Sequence, residues 1–205
     1  MNKYIQIAQQ ITNLNWSGLS VADLQALLIL SAYAADEFAE SLRLARALYP
    51  ESKGFEDMAA GELQTGNLKF GDYSKVDDHS EFLWFFDTMY FGENTVSKEV
   101  RESGGVYMRK VRTMTPPLRA MSVISRLREF SGMPALILKA PGWCGTAELL
   151  AFRYYLEKHA ALDSGQWNHA EMFSGFQVDD SVAPFYEARL DMYRVIPRLF
   201  EKNPA

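Results

Sequence analysis

The chain has 205 residues, a net charge of −5 at neutral pH, one cysteine and three histidines. That length suits one domain with a substantial buried core, and the acidic balance argues against nucleic acid or an anionic membrane surface as the main partner. A lone cysteine, Cys144, excludes an intramolecular disulfide framework and fits a reducing compartment.

Residues 1–16 hold neither an apolar signal-peptide core nor a small-residue cleavage site, and the apolar-leaning stretch from Leu24 to Ala35 is too short to span a bilayer. A soluble, cytoplasmic protein is expected. The apolar positions Ile5, Ile7, Ala8 and Ile11 predict a first helix over residues 3–14. Ser20 and Asp23 then form a capping-box pattern ahead of Val21, Leu24, Leu27, Leu28, Ala34, Phe38, Leu42 and Ala45, which recur at helical spacing. This long helix must stop where Tyr49 meets Pro50. A short helix is predicted over residues 55–63, followed by a turn-rich break at residues 65–72.

Asp77 or Asp78 can cap the next helix, which carries Phe82, Leu83, Phe85, Phe86 and Tyr90. Gly104-Gly105 reads as a break. Pro116-Pro117 suits the first turn of a helix bearing Leu118, Met121, Ile124 and Leu127, interrupted at Gly132-Met133-Pro134. Residues 147–161 form a strong helix, and a last one opens at Asp180-Ser181 and bends or ends near Pro197. Without alternating strands, repeats or a linker, the chain reads as one all-α domain over residues 1–205, a compact bundle of seven to eight helices.

All three histidines stand near carboxylates, and imidazole with carboxylate is a ligand set for transition metals. His159 and Asp163 are four residues apart and share a helix face, so they can hold one cation or form an ordinary helix-face pair. His169 follows a stretch, 164–168, that can kink the helix and return its ring to the same place. Glu62 and His79 form a second group. Asp72 competes with Glu62, because seven residues are two helical turns and would align Asp72 with His79. The plainer reading makes Asp77 and Asp78 simple caps and His79 a first-turn residue. Glu129 is either a ligand or the ion-pair partner of Arg126 or Arg128. Glu148, eleven residues before His159 and close to three turns away, is a reserve carboxylate beside Asp72.

Cys144, in Pro141-Gly142-Trp143-Cys144-Gly145 at a helix start, has the placement of a nucleophilic thiolate, though a lone cysteine is more often simply buried. Glu-x-x-His and His-Glu-x-x-His are absent, and the glycines form neither a phosphate-binding loop nor a dinucleotide fingerprint.

Taken in order, these pieces resemble the haem-oxygenase-like di-iron oxidase superfamily, which includes the TenA and PqqC-type folds. The stretch from Gly61-Glu62-Leu63 to Asp78-His79-Ser80-Glu81 resembles the first ligand helix, Arg128-Glu129-Phe130-Ser131-Gly132-Met133-Pro134 the second, and Tyr154-Tyr155-Leu156-Glu157-Lys158-His159 through Asp163 the third. The resemblance implies six ligands: Glu62, His79, Glu129, His159, Asp163 and His169. It further implies two iron ions, or manganese, that activate dioxygen to oxidise a small organic substrate. The interval from Asp163 to His169 is longer than the family's usual three or four residues. Haem is not expected, because the proximal histidine of true haem oxygenases lies on the first helix and the first histidine here is His79. Tyr33, Phe38, Phe82, Phe86 and Tyr155 are expected to line the substrate pocket. A metal-free enzyme on the same fold, or a non-catalytic helical ligand-binding protein, are the alternatives. A homodimer is the default assembly.

Overall fold

The computed structural model describes residues 2–90, 95–164, 173 and 175–201, leaving aside the side chains of residues 89–90, 95–97 and 162–164. Among these residues the chain folds as nine α-helices: α1 Lys3–Thr12, α2 Val21–Leu48, α3 Lys53–Glu62, α4 His79–Tyr90, α5 Thr95–Arg112, α6 Pro116–Glu129, the five-residue α7 Met133–Ile137, α8 Ala147–Ser164 and α9 Ala183–Tyr193. Short 3-10 turns lie at Trp16–Gly18, Asp180–Val182 and Pro197–Phe200. No strand forms among the described residues; two isolated bridges, Thr65 with Asp77 and Phe70 with Tyr73, pin the loop between α3 and α4. The all-α expectation holds.

Helix α2 is the axis of the molecule. Its 28 residues span about 42 Å, and α3, α4, α5, α6 and α8 all pack against it. Ser20 caps it: the hydroxyl accepts from the Asp23 backbone N–H, and the Asp23 carboxylate accepts from the Ser20 N–H at 2.9 Å. Leu24, Leu27, Leu28 and Leu30 are all fully buried although they point in different directions, the pattern of a helix enclosed on every side. The helix stops at Leu48 because Pro50 disfavours helical backbone at Tyr49.

Two expectations need correction. Gly104-Gly105 is no break, for α5 runs straight through it. Gly104 instead serves close packing: a Cβ there would stand 2.2 Å from the Tyr33 ring of α2, so only glycine lets the two helices approach this closely. The last helix is also shorter than its pattern implies. It divides into the turn at Asp180–Val182, α9, and a second turn at Pro197–Phe200, because Pro197 pushes Ile196 out of the helical region. Asp179 caps the first of these turns through the Ser181 N–H at 2.9 Å. Asp180 accepts from the Tyr4 N–H at 3.1 Å, tying the two ends of the chain together.

No helix among the described residues is long and apolar enough to cross a membrane.

Candidate metal centre

Three helices converge on one point. Glu62 is the last residue of α3, His79 the first of α4, and His159 stands late in α8. Sequence distance separates Glu62 from His79, and the intervening loop closes it. Gln64 turns the chain through a left-handed backbone conformation, φ 51°. The Thr65 N–H then donates to the Asp77 carbonyl at 3.0 Å, drawing the two helix ends together.

Asn67, in that loop, fixes the orientation. Its Nδ2 donates to the Gly61 carbonyl at 3.0 Å, so its Oδ1 is the atom that meets His79 Nε2 at 2.9 Å. An amide oxygen only accepts, so His79 Nε2 carries a proton and Nδ1 is the ring nitrogen turned toward Glu62. His159 is set in the same way. Its Nδ1 lies 2.8 Å from the Tyr155 carbonyl, one turn earlier on α8, so Nδ1 carries a proton and Nε2 is the ring nitrogen left to act as a ligand.

Ligand atoms of Glu62, His79 and His159 all lie within 4.8 Å of one another. His79 Nδ1 stands 2.8 Å from a Glu62 carboxylate oxygen, yet the direction is wrong for a hydrogen bond and this buried atom has no hydrogen-bond partner. Two lone-pair atoms in such contact repel unless a positive centre, a proton or a metal ion, lies between them. Imidazoles whose outer nitrogen is tied to a carbonyl or amide oxygen are the usual form of metal-ligating histidine. The Tyr155 ring covers His159 at 4.1 Å between centroids, and the two imidazoles stand 5.2 Å apart. Burial, and then the charge of Glu62, push the Tyr155 hydroxyl far above its ordinary value, so it stays protonated.

The trio opens on a cavity of about 210 Å³. One wall is a face of α2, where Leu27, Ser31, Ala34, Ala35 and Phe38 follow at helical spacing. The small residues among them leave the space that α6, α7 and α8 do not fill. Leu127, Phe130, Met133, Ile137 and Leu156 complete an apolar lining. Two arginines, Arg126 and Arg189, also reach this wall. Arg126 is paired with the fully buried carboxylate of Glu37 and lies 4.7 Å over both the Phe38 and Phe185 rings. The Tyr107 hydroxyl donates to Glu37 at 2.9 Å and accepts from Arg189 at 3.2 Å, so the network runs from Arg126 through Glu37 and Tyr107 to Arg189.

Of the residues singled out in the sequence, Glu62, His79 and His159 are therefore brought together, while Phe38 and Tyr155 line the adjoining cavity. Others lie elsewhere. Glu129 is half-buried, and its charge adds to the burial that raises the Tyr4 and Tyr186 hydroxyls above their ordinary values. Neither arginine expected to pair with it does so: Arg126 is held by Glu37, and Arg128 donates to the Phe173 and Phe176 carbonyls. Asp72 is exposed in the Phe70–Tyr73 turn, away from His79, and Glu148 accepts from Gln25 at 3.4 Å. Tyr33 packs edge-on against Trp84 and over Gly104 rather than into the cavity. Phe82 and Phe86 belong to an aromatic cluster with Phe70 and Tyr73. Cys144 faces Thr146 at 3.7 Å, outside the cavity wall. Asp163 falls in the last turn of α8, but its side chain, like all of His169, lies outside the described residues. Asn67, Glu37 and Arg189 carry no motif that would single them out. Only the turn-forming character of Asn67 is visible locally.

Comparison of the chain with family models, curated proteins and solved structures found no match.

Proposed function

We propose that this protein is a metal-dependent oxidase or oxygenase. It would bind ferrous iron through a Glu62 carboxylate oxygen, His79 Nδ1 and His159 Nε2, and use dioxygen to oxidise a small organic substrate held in the adjoining cavity. The observation that carries the reading is the contact between His79 Nδ1 and Glu62, with the outer nitrogen of each imidazole already committed to an oxygen acceptor. Two imidazoles and one carboxylate are the facial ligand set of non-haem iron oxygenases, and manganese accepts the same donors. Iron held there supplies the activation of dioxygen.

The chain's own residues do the rest. Asn67 and the Tyr155 carbonyl hold the imidazoles at their angles, and the apolar wall from Leu27 to Phe38 keeps bulk water from the reacting carbon. These three ligands suffice for one ion. A second ion, as in a di-iron centre, would draw on Asp163 and His169. The order of Glu62, His79 and His159 along the helices supports including the haem-oxygenase-like oxidases in the proposal as the family.

Metal-assisted hydrolysis is less well supported. A hydrolytic site needs a base beside the metal-bound water, and Glu62, already a ligand, is the one carboxylate in the cavity wall among the described residues.

The experiment is oxygen uptake by anaerobically iron-loaded protein supplied with ascorbate. The expected result is consumption well above that of free iron for the wild type, and none above it for Glu62→Gln. Equal consumption by the two proteins would refute the reading.

A further inference from the structure

The cavity wall carries a positive charge that no carboxylate among the described residues balances. Glu37 is neutralised by Arg126, and Glu40 is shared by Arg112 and Arg119. Arg189 has no carboxylate partner among the described residues. Its Nε donates to the Tyr193 hydroxyl at 3.0 Å and its Nη1 to the Tyr107 hydroxyl at 3.2 Å, and Nη2 meets no acceptor among the described residues. The Arg189 guanidinium is half-buried and cannot shed its proton, so an anion from outside the chain would complete its pairing. Tyr193 sharpens the point. Its oxygen accepts from Arg189, so its own O–H proton is free to donate, and Tyr193 lines the same cavity.

We infer that Arg189 and Tyr193 form an anion-binding subsite that holds the carboxylate of an apolar monocarboxylic acid, with its hydrocarbon body along the α2 wall. A single uncompensated guanidinium with one adjacent hydroxyl matches one carboxylate, and the lining beyond it matches an apolar body. Arg189 and Tyr193 line the same cavity as Glu62, His79 and His159, with Tyr155 also in its wall. An acid anchored at Arg189 would thus present a carbon remote from its carboxylate to the metal. That placement of the reacting carbon rests on the proposed function. The capture of the anion does not.

The test uses the purified full chain, with and without chelator treatment, and calorimetric titration with hexanoate, 1-hexanol and hexylamine. Hexanoate is expected to bind roughly tenfold or more tighter than either neutral or cationic analogue, the size of a charge-assisted hydrogen bond. Arg189→Met should abolish that preference and Tyr193→Phe should reduce it. Should Arg189→Met fail to fold, the wild-type preference and the Tyr193→Phe titration decide the matter. Equal affinity for hexanoate and hexanol, undetectable hexanoate binding, or an undiminished preference in both variants would overturn the inference. A chain that takes up no iron but still prefers hexanoate supports the subsite and sinks only the metal centre. Loss of hexanoate binding after chelation overturns the subsite and leaves the metal centre standing.

Discussion

Asn67 Oδ1 accepts the Nε2 proton of His79 at 2.9 Å, and through its amide nitrogen the same side chain is fastened to the end of α3 at Gly61. One loop residue therefore sets both the tautomer of His79 and its distance from Glu62. Asn67→Ala is expected to leave the fold intact and to weaken iron binding roughly 10- to 100-fold, the usual effect of removing the hydrogen-bond partner of a metal-ligating histidine. A metal titration followed by circular dichroism and by iron content checks this. Unchanged affinity would mean that the histidine is held by something else.

Glu37 is the most demanding residue of the core. It is fully buried on α2 and receives hydrogen bonds from Arg126, Tyr107 and Ser41. Glu37→Gln preserves the shape but leaves Arg126 uncompensated in the interior. A loss of about 3–5 kcal/mol is expected in urea unfolding, as for a broken buried ion pair.

Gly104 makes a sharper packing test. A methyl group at this position meets the Tyr33 ring, which is itself packed edge-on against Trp84. Gly104→Ala should cost roughly 1–3 kcal/mol despite the better helix propensity of alanine. Gly105, where a Cβ would meet only the Arg109 side chain at 3.4 Å, should accept the same substitution with little loss or a small gain. Equal effects at the two positions would contradict the packing account.

Glu129 separates a ligand from a bystander. Burial raises its carboxyl above the ordinary value, with Arg128 opposing. The folded chain therefore holds that proton more tightly than the unfolded chain. The stability this contributes is present in full below the ordinary glutamate value, roughly pH 4, and is lost as pH rises through the raised value. At neutral pH, Glu129→Gln should thus melt at the wild-type temperature or roughly 1–3 °C higher, the difference vanishing in acid, and should bind iron like the wild type. Loss of iron in this variant would put Glu129 back among the ligands.

How much of this was readable beforehand depends on how local each cause is. The Ser20–Asp23 box and the stop at Tyr49-Pro50 act within a few residues, and both are legible in the sequence. Glu62 and His79 are visible as residue types, but their pairing depends on the Thr65–Asp77 bridge, which no periodicity announces. Gly104 looks like a helix break because its partner, Tyr33, belongs to another helix. Arg126 and Arg128 look alike along the chain. Only tertiary packing makes the first the partner of a buried Glu37 and the second a donor to backbone carbonyls. Arg189 stands out by its pairing with two tyrosine hydroxyls and no carboxylate among the described residues, and that is a property of the folded molecule.

The most direct test of the account is iron content after anaerobic equilibrium dialysis against ferrous iron, measured on the wild type and on Glu62→Gln, His79→Ala and His159→Ala. The account predicts at least one tightly held iron per wild-type chain and its loss from each variant that keeps its helical circular dichroism. A wild-type chain that retains no iron, or three folded variants that retain as much as the wild type, would contradict it.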